Sequence, residues 1–463
     1  MSTMSGFILE LRLYAKHVLW SGALLSSTGL ADTLPGVSAQ ALITLPELRG
    51  AHGRAISGPT QSELKRVFLD AVEAALARSH ALGGARAEHE AALADVDEIK
   101  GRRWPQVDLG SQSRAHQFGG GVYSDPATNG GVNVQVTTSV FDWGYLGTSI
   151  ESRQQTAMAM ALRIDAEAQR AAHEVTATLI ELGKQRLIVQ LSEQYASRLR
   201  DLVAMLAEVV MADPGRSSEL TQAKARLLQA EAALDTARTR VADQQVNLHK
   251  LVGDRHVAIP VGQEWNLHPG DLPALLGDIP DHPLVQQASS RTAAAQLQAE
   301  AVKVSALPQL NWTINKSTRE DAWGREQPWQ TALSVNWPIF RGGAVRAAER
   351  AALQRAEAGR QELEQLRRDL EYSLRTAHQE TLALFERAEL YQALMLESEQ
   401  IRGDFFEQWY HLGRRTLLDV LSAESDYYGN RVSAVSNRFD AYHATVRQYS
   451  SAGSLFKWLR SRQ

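Results

Sequence analysis

The residues able to do chemistry are few in kind. The 463-residue chain has no cysteine, which excludes disulfides and thiolate-bound metals. Its thirteen histidines are scattered. The pairs His89-Glu90 and His173-Glu174 lack a second histidine at the spacing of a zinc-binding helix. There is no GxxxxGKS or GxxxxGKT phosphate loop, no GxSxG elbow and no GxGxxG turn. What remains is hydrogen-bonding and charge-pairing chemistry. Two short segments stand out as matched blocks, Gly215-Arg216-Ser217-Ser218-Glu219-Leu220 and Gly413 through Val420. Each sets guanidinium and hydroxyl donors beside a carboxylate acceptor. The reading is therefore of a protein that is not an enzyme and needs no cofactor.

Those segments sit at equivalent places in a duplicated chain, offset by about 200 residues. Trp104-Pro105-Gln106-Val107-Asp108-Leu109 matches Leu307-Pro308-Gln309-Leu310-Asn311-Trp312. Phe141-Asp142-Trp143-Gly144 matches Phe340-Arg341-Gly342-Gly343, and Gly215-Arg216 matches Gly413-Arg414. Each half reads helix, strand, turn, strand, very long helix, turn, returning helix. The first repeat spans 61–252, with strands near 106–117 and 131–142, a long helix over 144–211 and a return over 217–252. The second spans 284–452, with strands near 308–318 and 329–340, a long helix over 343–411 and a return over 416–452. A proline-rich connector, 253–283, joins them, and 453–463 form a tail.

The long runs contain no proline and predict helices of roughly 100 Å at 1.5 Å per residue. In the first return helix Leu220, Leu227, Leu234, Val241 and Leu248 recur every seventh residue. Ala223, Ala230, Ala237 and Leu251 follow three later, with Gln244 the polar exception. This is a heptad seam whose alanines permit close helix approach. The strands alternate: Val132, Val134, Val136, Thr138 and Val140 share one face, and Asn133, Gln135, Thr137 and Ser139 the other. Leu310, Trp312 and Ile314, then Leu333, Val335 and Trp337, repeat the pattern.

Net charge is −4, which gives no basic footprint for nucleic acid. Arg12 and Lys16 precede the apolar run Val18 to Leu25, and small residues follow. Residues 1–39 read as a secretory signal peptide and N-terminal segment, cleaved after Ala31 or Ala39. No later stretch has the ~20 apolar residues of a spanning helix. An exported chain with four amphipathic strands suits a membrane β-barrel, with a belt from Tyr123, Phe141, Trp143, Tyr145, Trp312, Trp323, Trp329, Trp337 and Phe340. Four strands cannot close a barrel, whose lower limit is about eight. Lipid tolerates no open edge. The strands must therefore be shared among copies, in multiples of four, unless the sheet stays in water as part of a soluble coiled-coil scaffold. These residues leave two, three or four copies open.

Taken together the chain resembles the TolC-like outer-membrane efflux proteins over about Gln61 to Ala452. The most specific stretch is Tyr410-His411-Leu412-Gly413-Arg414-Arg415-Thr416-Leu417-Leu418-Asp419-Val420-Leu421. The resemblance implies a homotrimer in the outer membrane, with a twelve-stranded barrel embedded in lipid and continued by a long α-helical tunnel across the periplasm. It implies a periplasmic adaptor partner docking at the helix turns, Gly215 and Arg216 with Gly413 and Arg414. An inner-membrane pump supplies the energy. Tyr410 and Arg415 match positions that hold the inner helix pair closed, and Ser218 and Glu219 match their partners. Asp419 matches an acidic ring at the constriction. Ser422 stands where the family has a second acid, which weakens the expected cation preference. The stretch Pro214 to Ala223 looks most like the type I secretion branch, which exports large adhesins or RTX-type proteins with an ABC transporter. A proton-driven multidrug or small-molecule pump is the alternative.

Overall fold

The computed structural model describes residues 58–113, 131–260, 262, 264–319 and 325–461. The proposed signal peptide, Tyr123, Trp323, the strand stretch 114–117 and the Gly119–Gly121 and Asn129–Gly130 turns lie outside them. Helix α1 (Gln61–Arg78) and α2 (His80–Gly101) lead to strands β1 (Gln106–Gln112) and β2 (Gly131–Phe141). Then come α3 (Tyr145–Ala212), α4 (Ser217–Val252), a short α5 (Leu272–Asp278) and α6 (Pro283–Val304). The order closes with β3 (Gln309–Ser317), β4 (Gln330–Asn336), α7 (Ala344–Tyr410), α8 (Leu417–Ser451) and α9 (Leu455–Arg460). Among the described residues the molecule is mainly helical, with one four-stranded sheet.

Several helices start where the sequence supplies side-chain acceptors. Thr60 and Glu63 form a reciprocal capping box on α1. Asp142 accepts from the Gly144 and Leu146 amides at 3.0 and 2.8 Å and so caps α3. The corner from strand to long helix needs two consecutive left-handed residues in both repeats. Gly342 and Gly343 meet that need without strain in the second (φ 58° and 81°). In the first, Trp143 takes the position of Gly342 at φ 56°, beside Gly144 at 86°. The Trp143 indole donates to the Pro308 carbonyl at 2.7 Å, tying the first repeat to the second.

The sheet runs β1-β2-β3-β4, all antiparallel, so the two halves meet at β2–β3. A register shift lies between Ser139 and Phe141. Pairing stacks Leu109 beside Val134, Val107 beside Val136 and Ile314, Thr138 beside Trp312 and Leu333, and Leu310 beside Val335. One face is thus mainly apolar across the four strands, with Ser111, Thr138, Lys316 and Thr331 as its polar members. The other carries Gln106, Asp108, Asn133, Gln135, Thr137, Asn311, Thr313, Asn315, Gln330 and Ser334. The apolar face is bare: Val107 is 66% exposed and Leu333 67%.

In the helical body α3 packs against α1, α2, α4, α6 and α8, and α7 against α6 and α8. On α4 the seam alanines Ala223, Ala230 and Ala237 are buried with Leu234, while Leu220, Leu227, Val241 and Leu248 are half-buried. The connector is anchored in the main core. Trp265 donates its backbone N–H to the Tyr442 hydroxyl at 2.9 Å and lies parallel to that ring, with Phe439 edge-on. Burial pushes the Tyr442 phenol up to about 12. Gly183 of α3 makes room, since a Cβ there would meet Trp265 at 2.9 Å.

Candidate functional site

The two helix turns that carry the paired donors and acceptors lie a full helix length, about 100 Å, from the sheet corners. They close differently. Between α3 and α4 Asp213 accepts from the Gly215 amide at 3.1 Å, and Pro214–Arg216 form one 3₁₀ turn. Between α7 and α8 Gly413 is left-handed (φ 60°), which lets the Arg414 amide reach back to the Gln408 carbonyl at 3.0 Å. Gly215 and Gly413 are matched in sequence, but only the second needs glycine for its backbone.

Behind the turns lies an apolar cluster. Leu199, Leu202 and Leu206 of α3, Ala223 and Ala230 of α4, Trp409 of α7, and Leu417, Val420 and Leu421 of α8 form it. Trp409 is only 5% exposed. Arg216 bridges the turns: it pairs with Glu219 at 2.8 Å while its guanidinium lies 5.5 Å from the centre of the Trp409 ring. The first turn therefore rests on the second through cation and ring.

The remaining expected residues are placed as follows. Within one chain Glu219 takes Arg216, not Arg415. Arg415 donates to Gln408 at 3.4 Å and lies over the Phe405 ring at 4.2 Å. Tyr410 is half-exposed and stacks on Phe406 (5.8 Å, 8°), with no hydrogen bond to Ser218 or Glu219. Ser218, Ser422 and Arg414 are exposed. Asp419 is half-buried, and its carboxylate accepts the Thr416 amide (3.1 Å) and hydroxyl (3.0 Å), completing the capping box of α8. Those two bonds, then the nearby Arg415 charge, hold its carboxyl below the usual range. It is an anion at neutral pH, yet one already engaged by its own helix end. The structure gathers Arg216, Glu219 and Trp409 at one point, engages Arg415 with Gln408 and Phe405 and Tyr410 with Phe406, and leaves Tyr410, Arg415 and Ser218 at the surface.

Two features escape the sequence reading. Trp409 is one. The other is Glu424 of α8, only 2% exposed, which meets Arg198 of α3 at 3.1 Å and Arg402 of α7 at 3.5 Å. A signal existed: Leu417, Leu421, Glu424 and Tyr428 follow helical spacing, so the carboxylate stands on an apolar stripe. Among the described residues no three histidine, aspartate or glutamate side chains gather as a metal site, and no helix is long and apolar enough to cross a membrane.

Comparison with known proteins follows this geometry. The family model described as outer membrane efflux protein matches residues 71–254 and 280–454, one span per repeat. The outer membrane efflux protein BepC of Brucella suis biovar 1 (strain 1330) is 21% identical over 340 residues, covering 72% of this chain and 74% of that one. The outer membrane protein VceC of Vibrio cholerae superposes with TM-score 0.73 at 17% identity, over 85% of this chain and 99% of that one. The MtrE outer membrane channel of Neisseria gonorrhoeae, solved in an open state, gives 0.68 at 17% identity, over 85% and 89%.

Proposed function

We propose a function from a plain premise: the chain belongs to the outer membrane efflux protein family. Membership makes it a non-enzymatic transport protein of the outer membrane that extends into the periplasm. The chain is one protomer of a trimeric tunnel, through which cargo passes under the power of another protein. The sheet carries this reading. Its mainly apolar face is exposed, its opposite face is polar, and among the described residues β1 and β4 have unpaired outer edges. In lipid such a sheet is stable only when the edges of one copy pair with those of the next, apolar side outward. Three copies give twelve strands around a polar lumen. An apolar stripe on α7, Leu390, Leu394 and Ile401, is also uncovered in the single chain and suits helix packing between copies.

The polar turns are the periplasmic gate and constriction, with Asp419 and Ser422 lining it and Tyr410, Arg415, Ser218 and Glu219 supplying contacts between hairpins. Arg216 and Arg414, with Gly215 and Gly413, form the tips for an adaptor protein. Exposed links of this kind are worth about 1 kcal/mol or less each, which suits a gate that must open.

For cargo we take type I secretion of a large protein, with an ABC transporter, as the finer reading. It rests on the turn sequence Pro214 to Ala223. Small-molecule efflux is the second reading, favoured by a relative named as an efflux protein. One experiment separates them. A strain lacking the chain is compared with its parent for extracellular and surface proteins and for drug susceptibility. Loss of one or a few large proteins supports secretion; an unchanged profile with raised susceptibility overturns it for efflux. If purified protein runs as a monomer and passes no current across a planar bilayer, the tunnel reading itself fails.

A further inference from the structure

We propose that Glu424 is the releasable latch between the two helix hairpins, and that Arg402 is the stand-by partner that lets it release. This rests on the gate reading above. Glu424 lies on α8 about two turns from the α7–α8 turn, and its carboxylate is buried. It has one partner in each hairpin. Arg198 Nε comes from α3 at 3.1 Å. Arg402 Nη1 comes from α7 at 3.5 Å, within the hairpin to which Glu424 itself belongs.

Separating the hairpins breaks the first bond and leaves the second. A buried carboxylate stripped of all partners is strongly unfavourable, and would by itself hold the gate shut. Arg402 removes that penalty because it travels with Glu424. It is placed to tighten its hold: its guanidinium lies over the Tyr427 ring at 4.6 Å, and its Nε is buried without a hydrogen-bond partner. A cavity of about 240 Å³ beside the carboxylate, lined by Tyr195, Arg198, Arg402, Tyr427 and Tyr428, gives both side chains room to swing.

The same arrangement recurs along the α3–α8 seam. Lys184 meets Asp440 across the seam at 3.0 Å and Glu181 on its own helix at 2.6 Å. The Ser192 hydroxyl faces the Tyr428 hydroxyl at 2.8 Å and donates to the Ile188 carbonyl of its own helix at 2.8 Å. Between α3 and α4, inside one hairpin, Arg200–Glu231 and Arg238–Glu193 have no second charge partner among the described residues. Among the charge pairs, fallback partners thus lie at the seam between hairpins, whereas the hydroxyl pattern also occurs inside one hairpin, at Ser398 with Asn430 and at Thr381 with Gln448.

The test exploits a difference in sign. The purified full chain is placed in planar bilayers, and open probability is measured with thermal midpoint as the check on folding. Arg198→Ala removes the bond that must break, so opening rises about fivefold, the factor for roughly 1 kcal/mol. Arg402→Ala, or Arg402→Gln where the smaller side chain folds poorly, removes the fallback, so opening falls by a similar factor. In a Glu424→Gln background the Arg402 substitution has no further effect, because no charge is left to strand. A merely structural ion pair would lower the midpoint and move opening in one direction for both arginines. That same-sign result, or an Arg402 effect that persists in the Glu424→Gln background, overturns the latch. A wild-type chain that passes no current overturns the channel reading instead.

Discussion

Replacing Gly183 by alanine tests how tightly the connector is held in the core. The new Cβ would stand 2.9 and 3.1 Å from two Trp265 ring carbons and 3.1 Å from a Phe439 carbon. Ordinary carbon contacts are about 3.5–4.0 Å, so the rings must retreat by roughly half an ångström or more. They have little freedom to do so. Trp265 is 4% exposed, fixed by its backbone bond to Tyr442, and flanked by Phe68, Phe439 and Tyr442. Overpacking of this kind costs about 1–3 kcal/mol. Alanine regains about 1 kcal/mol of helix propensity. Gly84→Ala on α2 is the control, since a Cβ there meets nothing within 4 Å. It gains the same propensity without the clash, so the difference between the two variants isolates about 1–3 kcal/mol of steric cost. Thermal unfolding of the detergent-solubilised protein, followed by tryptophan near-UV dichroism, reads it. Equal midpoints for the two variants would refute the reasoning.

Two other outcomes are expected. His173 of α3 and His443 of α8 face each other edge-on at 5.8 Å. Burial first, then the His443 and Arg447 charges, push His173 from 6.5 down to about 4, and burial likewise lowers His443. The folded protein keeps both neutral while the unfolded chain binds protons near pH 6.5. Stability is therefore full above that pH and falls as pH drops from about 6.5 to 4, by up to about 3 kcal/mol for His173. His173→Gln should flatten the midpoint-against-pH curve, and an unchanged slope contradicts the assignment. At the sheet corners, Gly342→Ala forces a side chain into φ 58° and should cost about 1 kcal/mol. Trp143→Gly relieves similar strain but loses the 2.7 Å indole bond, so it should be nearer neutral. Heat stability in gel mobility assays ranks the two, and a less stable Trp143→Gly would reverse the account.

Period-two patterns proved the most legible part of the sequence. Val132, Val134, Val136 and Thr138 stand on one face of β2, and the cross-strand register extends that face through Trp312 and Leu333; beyond the register shift Phe141, not Val140, stands opposite Leu310. The α4 heptad was legible for the same reason, one dominant partner helix, α3, making one main stripe. Helix α3 offers no such stripe, because six helices pack around it, α1, α2, α4, α6, α8 and α9; only the lack of proline marks its length. Partner choice at the turns was not legible. Arg216 is one helical turn from Glu219 and pairs with it at little ordering cost, whereas Arg415 has Phe405 to lie on. The stripe of Leu417, Leu421 and Tyr428 marks Glu424 as inward-facing, but its partners were not legible, because they lie over 200 positions upstream on α3 and about 20 upstream on α7.

The sheet order also sets a timetable for making the protein. The hairpins β1–β2 and β3–β4 each join neighbouring stretches of chain, but β2 meets β3 through pairs such as Asn133 with Ser317, about 180 residues apart. A chain emerging N-terminus first at about 5–20 residues per second completes its first hairpin roughly 10–40 s before the neighbour exists. For that interval β2 offers a free edge and the valines of a bare apolar face, the combination most prone to wrong pairing.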